Sequence, residues 1–197
     1  VQYAGNFEIL LDIDTGDLNL KRETIADLRG YLIDLARLYT PLIRQKCISI
    51  NVTKETRSDI SVQVDKDLFD LVISNIIDNA IKYSYDPEDR MRVGLQPKPR
   101  LTEDKENVLI AAEEDNDSVT VWVSSYGIEL SDQEKNRIFE REYRGYHADD
   151  RSRGTGIGLY LAKEIIEMHG GSIEVESGRP EYNTVFKITL PKKIGQH

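Results

Sequence analysis

The sequence predicts an α/β domain, a two-layer α/β sandwich in which a mixed sheet carries helices on one face. Two observations predict this class. Short strand-like segments alternate with longer segments whose apolar residues recur three and four positions apart, as in amphipathic helices. The chain has 197 residues, 39% of them hydrophobic, which is enough for one good core. A net charge of −9 makes nucleic acid an unsuitable partner, because a polyanion would be repelled.

Residues 1–22 are predicted as a lead-in, and residues 23–193 as the folded domain. The lead-in holds two strand-like patches, 7–13 and 18–20, on either side of a turn at 14–17. The chain begins with valine rather than methionine, so we expect it to be a piece of a longer protein. Its sequence contains no run of apolar residues long enough to cross a membrane.

A long helix is expected to follow the lead-in. It starts at a capping box formed by Thr24 and Asp27 and runs to about Lys46. Pro41 should kink it, because a proline ring does not fit a regular helix interior. The buried face is predicted to contain Ile25, Leu28, Leu32, Leu35, Tyr39 and Leu42.

Beyond this helix the pattern alternates between strands and helices. One helix is predicted at about 66–84 and another at 157–168. A short helix follows a capping box at Ser131 and Glu134. Strands are predicted at 48–52, 60–64, 108–113, 119–124, 172–176 and 184–190. Residues 85–107 are interpreted as a surface insertion of open function, because their prolines and charges cannot build a core.

A glycine-rich run at the start of the helix 157–168 has the pattern expected around phosphate groups. It consists of Gly154, Thr155, Gly156, Ile157, Gly158 and Leu159. Glycine lets the backbone approach a polyanion closely, and the start of a helix aims unpaired N–H groups at the same charge. The mostly charged residues 141–153 before the run are expected to form a lid. The run alone is weak evidence, because ordinary turns also use glycine.

Three polar side chains form a stripe on the otherwise apolar helix 66–84. Asn75, Asn79 and Lys82 stand at i, i+4 and i+7, which places them on one face. Carboxamide oxygens suit Mg²⁺, and Lys82 can neutralise a phosphate. The alternative interpretation is two core amides that cap nearby loops. Together with the glycine run, the stripe favours a site for a nucleotide and its metal ion.

Three motifs resemble those of the ATP-binding catalytic domain of sensor histidine kinases. Residues 75–84 match the N box of that family, residues 137–144 its F box, and residues 153–163 its second glycine box. The resemblance covers about residues 16–191, and the three motifs in this order and spacing are very specific. It implies the histidine kinase-like ATPase fold, with ATP and Mg²⁺ as cofactors.

The resemblance also implies a role for each matched residue. Asn79 and Asn75 would hold Mg²⁺, and Lys82 would meet a phosphate. Tyr83 would lie beside the base, and Arg144, the last residue of the F box, would contact the γ-phosphate. The phosphate loop would be shaped by Gly154, Thr155, Gly156, Gly158 and Leu159.

The first glycine box departs from the family pattern Asp-x-Gly-x-Gly. Ser125 replaces the Asp that accepts a hydrogen bond from the adenine amino group, while Gly127 is kept and Glu129 replaces the second glycine. A serine hydroxyl is shorter than a carboxylate and uncharged, so both reach and charge-assisted strength are lost. Glu129 either adds negative charge beside the nucleotide or turns to solvent.

The function implied is that of the catalytic domain of a two-component sensor histidine kinase, which transfers the γ-phosphate of ATP to a histidine outside this chain. The resemblance implies an acceptor histidine on a helix upstream of the N box, and no histidine precedes His147. We therefore expect the acceptor to lie outside this chain. The implied partners are a response regulator and the dimerisation and phospho-acceptor helices of the same full-length protein, to which residues 1–22 would lead. A homodimer of the full-length protein and a cytoplasmic location, including the cytoplasmic part of a membrane-bound sensor, are expected.

Two alternative functions are kept. A pseudokinase or regulatory binding module would hold nucleotide weakly or not at all, and the changes at Ser125 and Glu129 favour it. A conformational clamp of the gyrase type is disfavoured, because the catalytic Glu of that branch would stand where this chain has Asn75.

Two residues outside the motifs are given structural interpretations. Cys47 lies between a predicted helix and a strand and is interpreted as a small core residue. His169 ends the helix 157–168 and is expected to contact a carbonyl group at the end of that helix.

Overall fold

The structure is a computed structural model, and it describes residues 2–85, 107–145, 155–177 and 182–192. The helices in these ranges are α1 (Gln2–Thr15), α2 (Leu28–Leu38), α3 (Thr40–Lys46), α4 (Lys66–Tyr83), α5 (Asp132–Arg137) and α6 (Gly158–Met168). The strands are β1 (Arg22–Ile25), β2 (Ile50–Val52), β3 (Val62–Asp65), β4 (Val108–Glu114), β5 (Ser118–Ser125), β6 (Ser172–Ser177) and β7 (Thr184–Pro191). Nearly all of the predicted insertion and much of the predicted lid lie outside the described residues.

Five strands form a mixed sheet in the order β2-β4-β5-β7-β6. β2 pairs with β4 in parallel, and the other neighbours are antiparallel. Buried residues alternate with less buried ones along β4 and β5, so one face of the sheet is covered. The covering layer includes α4, which packs against both β5 and α6. The predicted two-layer sandwich with a mixed sheet is confirmed, and β1 and β3 add a separate antiparallel pair.

The central helix of the core is α4, and it begins at a well-formed cap. The Asp65 carboxylate accepts a hydrogen bond from the Leu68 N–H at 3.2 Å, and Asp67 places a negative charge at the positive end of the helix dipole. Apolar residues lie on most of its circumference, so tertiary packing holds the helix on several sides. Its buried residues are Leu68, Phe69, Val72, Ile73, Asn75, Ile76, Ile77, Ala80 and Ile81.

Two side chains from α2 and α3 fix the position of α4. The Tyr31 hydroxyl donates to the Asp70 carboxylate, and burial together with this bond raises the pKa of Tyr31, so the phenol stays protonated and remains a donor. At the other end, Lys46 Nζ donates to the Ile81 carbonyl at 3.2 Å, where a cation also complements the helix dipole. Both ends of α4 are therefore held from one side.

The prediction of two strands in the lead-in is wrong, because residues 7–13 belong to α1 and residues 18–20 precede β1 without forming a strand. The alternation at 7–13 is interrupted by Leu10, which is 2% exposed and lies in the core. α1 packs against α6, a tertiary contact that no local pattern reveals. At its end, the Asp14 carboxylate accepts from Arg141 Nη1 at 2.9 and 3.2 Å.

The predicted single helix from residue 24 to 46 is two helices. Asp27 alone caps α2, accepting from the Gly30 N–H at 2.8 Å, while Thr24 lies in β1. Pro41 occupies the first turn of α3, where its missing N–H removes no helical hydrogen bond. The proline therefore marks a new start rather than a kink. Leu42, predicted to be buried, is 36% exposed, whereas Leu28, Leu32 and Leu35 are buried as expected.

The structure contradicts the interpretation of Cys47 and confirms that of His169. Cys47 is exposed and has φ 51° at the end of α3, so the expectation of a core residue is wrong. His169 is buried, and its Nδ1 lies 2.7 Å from the Ile165 carbonyl, which confirms the expected contact. Its Nε2 accepts from the Asp65 N–H at 2.9 Å, so the imidazole must be neutral with its proton on Nδ1. This ring joins the end of α6 to the start of α4.

We expect acidification to weaken the fold through His169. Burial lowers the pKa of His169 from its ordinary 6.5, and the nearby Arg22 acts in the same direction. The unfolded imidazole takes up its proton first, so this stability is complete above pH 6.5 and is lost as the pH falls toward the lower folded pKa. Urea unfolding of wild type and His169→Gln at pH 7.5 and 5.5 measures the effect. An equal loss of unfolding free energy in both proteins would contradict it.

Candidate nucleotide-binding site

The polar stripe predicted on α4 begins with two linked asparagines. Asn79 Nδ2 donates to the Asn75 backbone carbonyl at 2.9 Å, which leaves Asn79 Oδ1 as the atom that can face a ligand. Asn75 is 7% exposed, and its Nδ2 has no hydrogen-bond partner among the described residues. A buried amide without a partner costs free energy, so this position favours a polar ligand.

The start of α6 lies directly against Asn75. A Cβ at position 158 would lie 2.9 Å from Asn75 Oδ1, so Gly158 permits this close approach. Ile157 caps the helix without a side-chain hydrogen bond, and Leu159 packs against the core. The positive end of the α6 dipole therefore lies close to the buried amide. This combination suits an anion such as a phosphate.

The glycine run is also joined to the F box. Gly156 has φ +71°, and a Cβ there would lie 2.6 Å from the carbonyl carbon of Glu142. The Glu142 N–H donates to the Gly156 carbonyl at 3.1 Å. Thr155 Oγ1 accepts from the Ile157 N–H at 3.4 Å as the chain turns into α6. The F box thus sets the position of the run, of which Gly154 lies outside the described residues.

At the C-terminal end of α4, the first glycine box packs against the last helical turn. Gly127 forms an antiparallel bridge with Ser84, and the Ile128 N–H donates to the Tyr83 carbonyl at 3.0 Å. A Cβ at position 127 would lie 1.9 Å from that carbonyl oxygen. Any side chain would therefore separate the two segments, which explains why glycine is kept here.

The two departures in this box face different surroundings. Ser125 ends β5, is 5% exposed, and pairs in register with the buried Thr184 of β7. A serine hydroxyl, with a threonine as its cross-strand partner, thus stands where the family pattern has a carboxylate. Glu129 is exposed, which favours the second of its two interpretations, a side chain that turns to solvent.

The remaining residue of the α4 stripe, Lys82, lies next to Tyr83 on the last turn of the helix. Lys82 Nζ lies 4.8 Å from the centre of the Tyr83 ring, a favourable contact between a cation and an aromatic face. Both side chains are half-buried. The helix rises about 12 Å between Asn75 and Tyr83. One helix therefore links the glycine-run end of the candidate site to the glycine-box end.

Arg144 lies in the exposed segment that follows α5. It lines a surface cavity of about 360 Å³ whose other lining residues are Arg137, Glu140, Arg141, Glu142 and Tyr143. Because Glu142 bonds to Gly156, this cavity adjoins the glycine run.

The donor set fits Mg²⁺. In the described ranges, no three His, Cys, Asp or Glu side chains gather as they would around a softer ion or in an all-carboxylate site. Asn75 and Asn79 offer carboxamide oxygens, and Mg²⁺ accepts such oxygens together with those of phosphates and water. A half-turn of the Asn75 amide exchanges its oxygen and nitrogen, so this side chain can serve a cation or a phosphate oxygen.

Comparison with known proteins gives the family. A sequence model of the family described as histidine kinase-, DNA gyrase B-, and HSP90-like ATPase matches residues 64–194. This range is about two thirds of the chain and contains the N box, the F box and both glycine boxes. The chain belongs to this family. The resemblance to the histidine kinase catalytic domain drawn from the motifs is confirmed, and with it a domain of an ATP-dependent enzyme.

A relative of this ATPase domain occurs in a sensor protein. The chain is 32% identical over 129 residues to the sensor protein SrrB of Staphylococcus aureus (strain NCTC 8325 / PS 47). That alignment covers 65% of this chain and 19% of SrrB, so the chain spans about a fifth of its curated relative. No helix within the described ranges has the length and apolarity of a membrane span.

Solved structures share the fold at lower sequence identity. The catalytic domain of histidine kinase ThkA in a nucleotide-free form has a TM-score of 0.65 at 23% identity, with 89% of this chain and 99% of that chain covered. Full-length ShkA in complex with AMPPNP has a TM-score of 0.70 at 19% identity, with 97% of this chain and 35% of that chain covered.

The sequence interpretation missed two residues at the glycine-box end. Asn183 makes two hydrogen bonds to Gly127, and Thr184 lies beside Ser125. The only local signal was a polar pair, Asn183 and Thr184, at the start of the strand predicted at 184–190. That signal gains meaning only from the pairing of β5 with β7, which the sequence does not specify.

Proposed function

We propose that this chain binds ATP with Mg²⁺ along α4 and transfers the γ-phosphoryl group to a histidine outside the chain. The observation that carries the proposal is the buried Asn75 amide, which has no partner among the described residues and faces the start of α6. An anion bound there would satisfy the amide and the free N–H groups of the helix together. ShkA, which shares the fold, was solved with the nucleotide analogue AMPPNP.

In the proposed arrangement the phosphates lie at Asn75 and the glycine run, and the base lies at Tyr83 and Gly127. Asn79 Oδ1 is the first choice of metal ligand, because its amide nitrogen is already bound to the helix. Asn75 provides either a second oxygen or an N–H for a phosphate. Mg²⁺, when bound, would neutralise phosphate charge and fix the phosphate geometry.

The chain acts mainly by positioning. A histidine nitrogen attacks the γ-phosphorus in line, the bond between that phosphorus and the β–γ bridging oxygen breaks, and ADP leaves with the bridging oxygen and its electron pair. The imidazole releases its N–H proton to solvent. Lys82 and Arg144 would stabilise charge on the phosphates, and the segment 141–153 would exclude water.

The partners and location proposed follow from this reaction. The histidine would lie on dimerisation helices of the same full-length protein, which would pass the phosphoryl group to a response regulator. We propose a homodimer for the full-length protein and a cytoplasmic position for this domain. The relatedness to the sensor protein SrrB supports a place for this domain in a sensory protein.

Phosphotransfer in trans is the direct test. With γ-labelled ATP and Mg²⁺, this chain alone should remain unlabelled, because it lacks an acceptor histidine. It should label a separately expressed dimerisation fragment of its own full-length protein with acid-labile phosphate. The same fragment with its acceptor histidine changed to glutamine is the matched control and should stay unlabelled.

Two results would overturn the proposal in different ways. Acid-labile phosphate on this chain alone would show that the acceptor is not outside it. A chain that labels no acceptor fragment, although a cooperative melting transition shows that it is folded, would favour the pseudokinase. Circular dichroism of each sample shows whether the protein is folded.

A further inference from the structure

We infer that Asn183 is a positioning residue for the nucleoside end of the site, an inference that rests on the proposed function. Its side chain binds both backbone groups of Gly127. The Gly127 N–H donates to Asn183 Oδ1 at 2.9 Å, and Asn183 Nδ2 donates to the Gly127 carbonyl. A carboxamide that donates and accepts in this way reproduces the pattern of an antiparallel strand pair.

The two hydrogen bonds between Asn183 and Gly127 extend the sheet beyond the last pair of residues in the register of β5 and β7. β5 and β7 end their register at Ser125 opposite Thr184, and Asn183 is the residue immediately before that pair. Gly127 lies two positions beyond the end of β5, outside this register, and the Asn183 side chain bonds to its backbone from the β7 side. The Thr184 hydroxyl adds a longer contact of 3.4 Å to the Ile128 carbonyl.

The opposite side of the same segment is joined to α4. The Ile128 N–H donates to the Tyr83 carbonyl at 3.0 Å, and the Tyr85 N–H donates to the Tyr126 carbonyl at 3.2 Å. The segment 126–128 is therefore held between the end of α4 and the start of β7. Any shift of Gly127 toward solvent would also displace the backbone of Tyr83.

Asn183 acts on one end of the site only. Its two described hydrogen bonds both go to Gly127, whereas the phosphate end is built from Asn75 and Gly158. Because both ends of its amide are used by Gly127, it does not need to touch the nucleotide. Losing the Asn183 side chain leaves the half-buried N–H and carbonyl of Gly127 without this partner. The segment 126–128, which follows Ser125 and bonds to the Tyr83 backbone, would then lose its fixed position.

Comparing ATP with inorganic tripolyphosphate isolates this end of the site. Both ligands present a chain of phosphates, so the ratio of their affinities measures what the nucleoside adds. By calorimetry in millimolar Mg²⁺, Asn183→Ala and Asn183→Asp should each weaken ATP binding about tenfold and leave tripolyphosphate binding unchanged. The aspartate keeps the acceptor for the Gly127 N–H but lacks the donor for its carbonyl.

Thr56→Ala is a matched control. The Thr56 side chain is 2% exposed and accepts from the Ala112 N–H at 2.9 Å, four residues along β4 from the strand end beside Ser125. It loses a buried bond between side chain and backbone, as the Asn183 variants do. It should lower the melting temperature without changing the affinity ratio of ATP to tripolyphosphate.

The outcomes separate the two claims. If the wild type binds ATP and both Asn183 variants keep its affinity ratio, the positioning role is wrong and the proposed function stands. If the variants weaken the binding of ATP and of tripolyphosphate equally, the positioning role is also wrong, because the effect would then not be confined to the nucleoside end of the site. If the wild type binds neither ligand, the proposed function fails and this inference fails with it.

Discussion

Replacing Asn79 with alanine should weaken binding of ATP in the presence of Mg²⁺ at least about tenfold, since losing even an outer-shell partner of a metal ligand costs roughly 10- to 100-fold. The change removes Asn79 Oδ1, the oxygen proposed to face the metal, and one bond to the Asn75 carbonyl. Alanine favours the helix, so the fold should remain intact. Calorimetry with and without Mg²⁺ measures the difference, which should vanish without the metal.

Asn51→Ala is the matched control for this variant. It makes the same chemical change at an exposed position of β2, at the edge of the sheet. Its nucleotide affinity should equal that of the wild type. Equal affinity of Asn79→Ala and wild type in millimolar Mg²⁺ would show that Asn79 does not hold the metal.

Replacing Ser125 with aspartate should strengthen ATP binding and restore a preference for adenine. A hydrogen bond to a charged partner contributes roughly 1.5–3 kcal/mol, or about 10- to 150-fold in affinity. The wild type should accordingly bind ATP weakly and discriminate poorly against GTP. Because Ser125 is 5% exposed, the new carboxylate should also lower the melting temperature without nucleotide and gain more from added ATP.

Two companion variants show whether the charge of the new carboxylate causes the gain in ATP affinity and whether Glu129 limits it. Ser125→Asn has the size of aspartate without its charge, so it should recover only a small part of the gain. Because Glu129 is exposed, the double variant Ser125→Asp with Glu129→Gly should match the single variant. Low-micromolar ATP binding by the wild type, with GTP excluded and no gain from Ser125→Asp, would mean that another group reads the base.

The sequence predicts α4 well because its determinants are local. The cap and the apolar periodicity both lie within the helix, and the observed bounds Lys66–Tyr83 differ from the predicted ones by one residue. The capping box of Ser131 and Glu134 is confirmed for the same reason. Spacing alone also placed Asn75 and Asn79 on one face of a helix.

The elements that were mispredicted depend on contacts between distant parts of the chain. α1 is a helix whose apolar residues meet α6, and its local alternation resembles that of a strand. The break between α2 and α3 at Tyr39 depends on where each helix packs. Pro41 permits a helix to start there but does not by itself require the break. Asn183 bonds to a residue 56 positions away, and the local sequence does not reveal such a pairing.

The place of α4 in the molecule limits how its sequence can vary. Inserting or deleting one residue turns everything beyond that point by about 100° around the helix axis. Such a change would take Tyr83 away from the first glycine box and at the same time turn Ile81 out of the core. The same rotation around the helix axis fixes the direction of the core side chains and of the ligand-facing side chains. An insertion or deletion during evolution would therefore change both sets together.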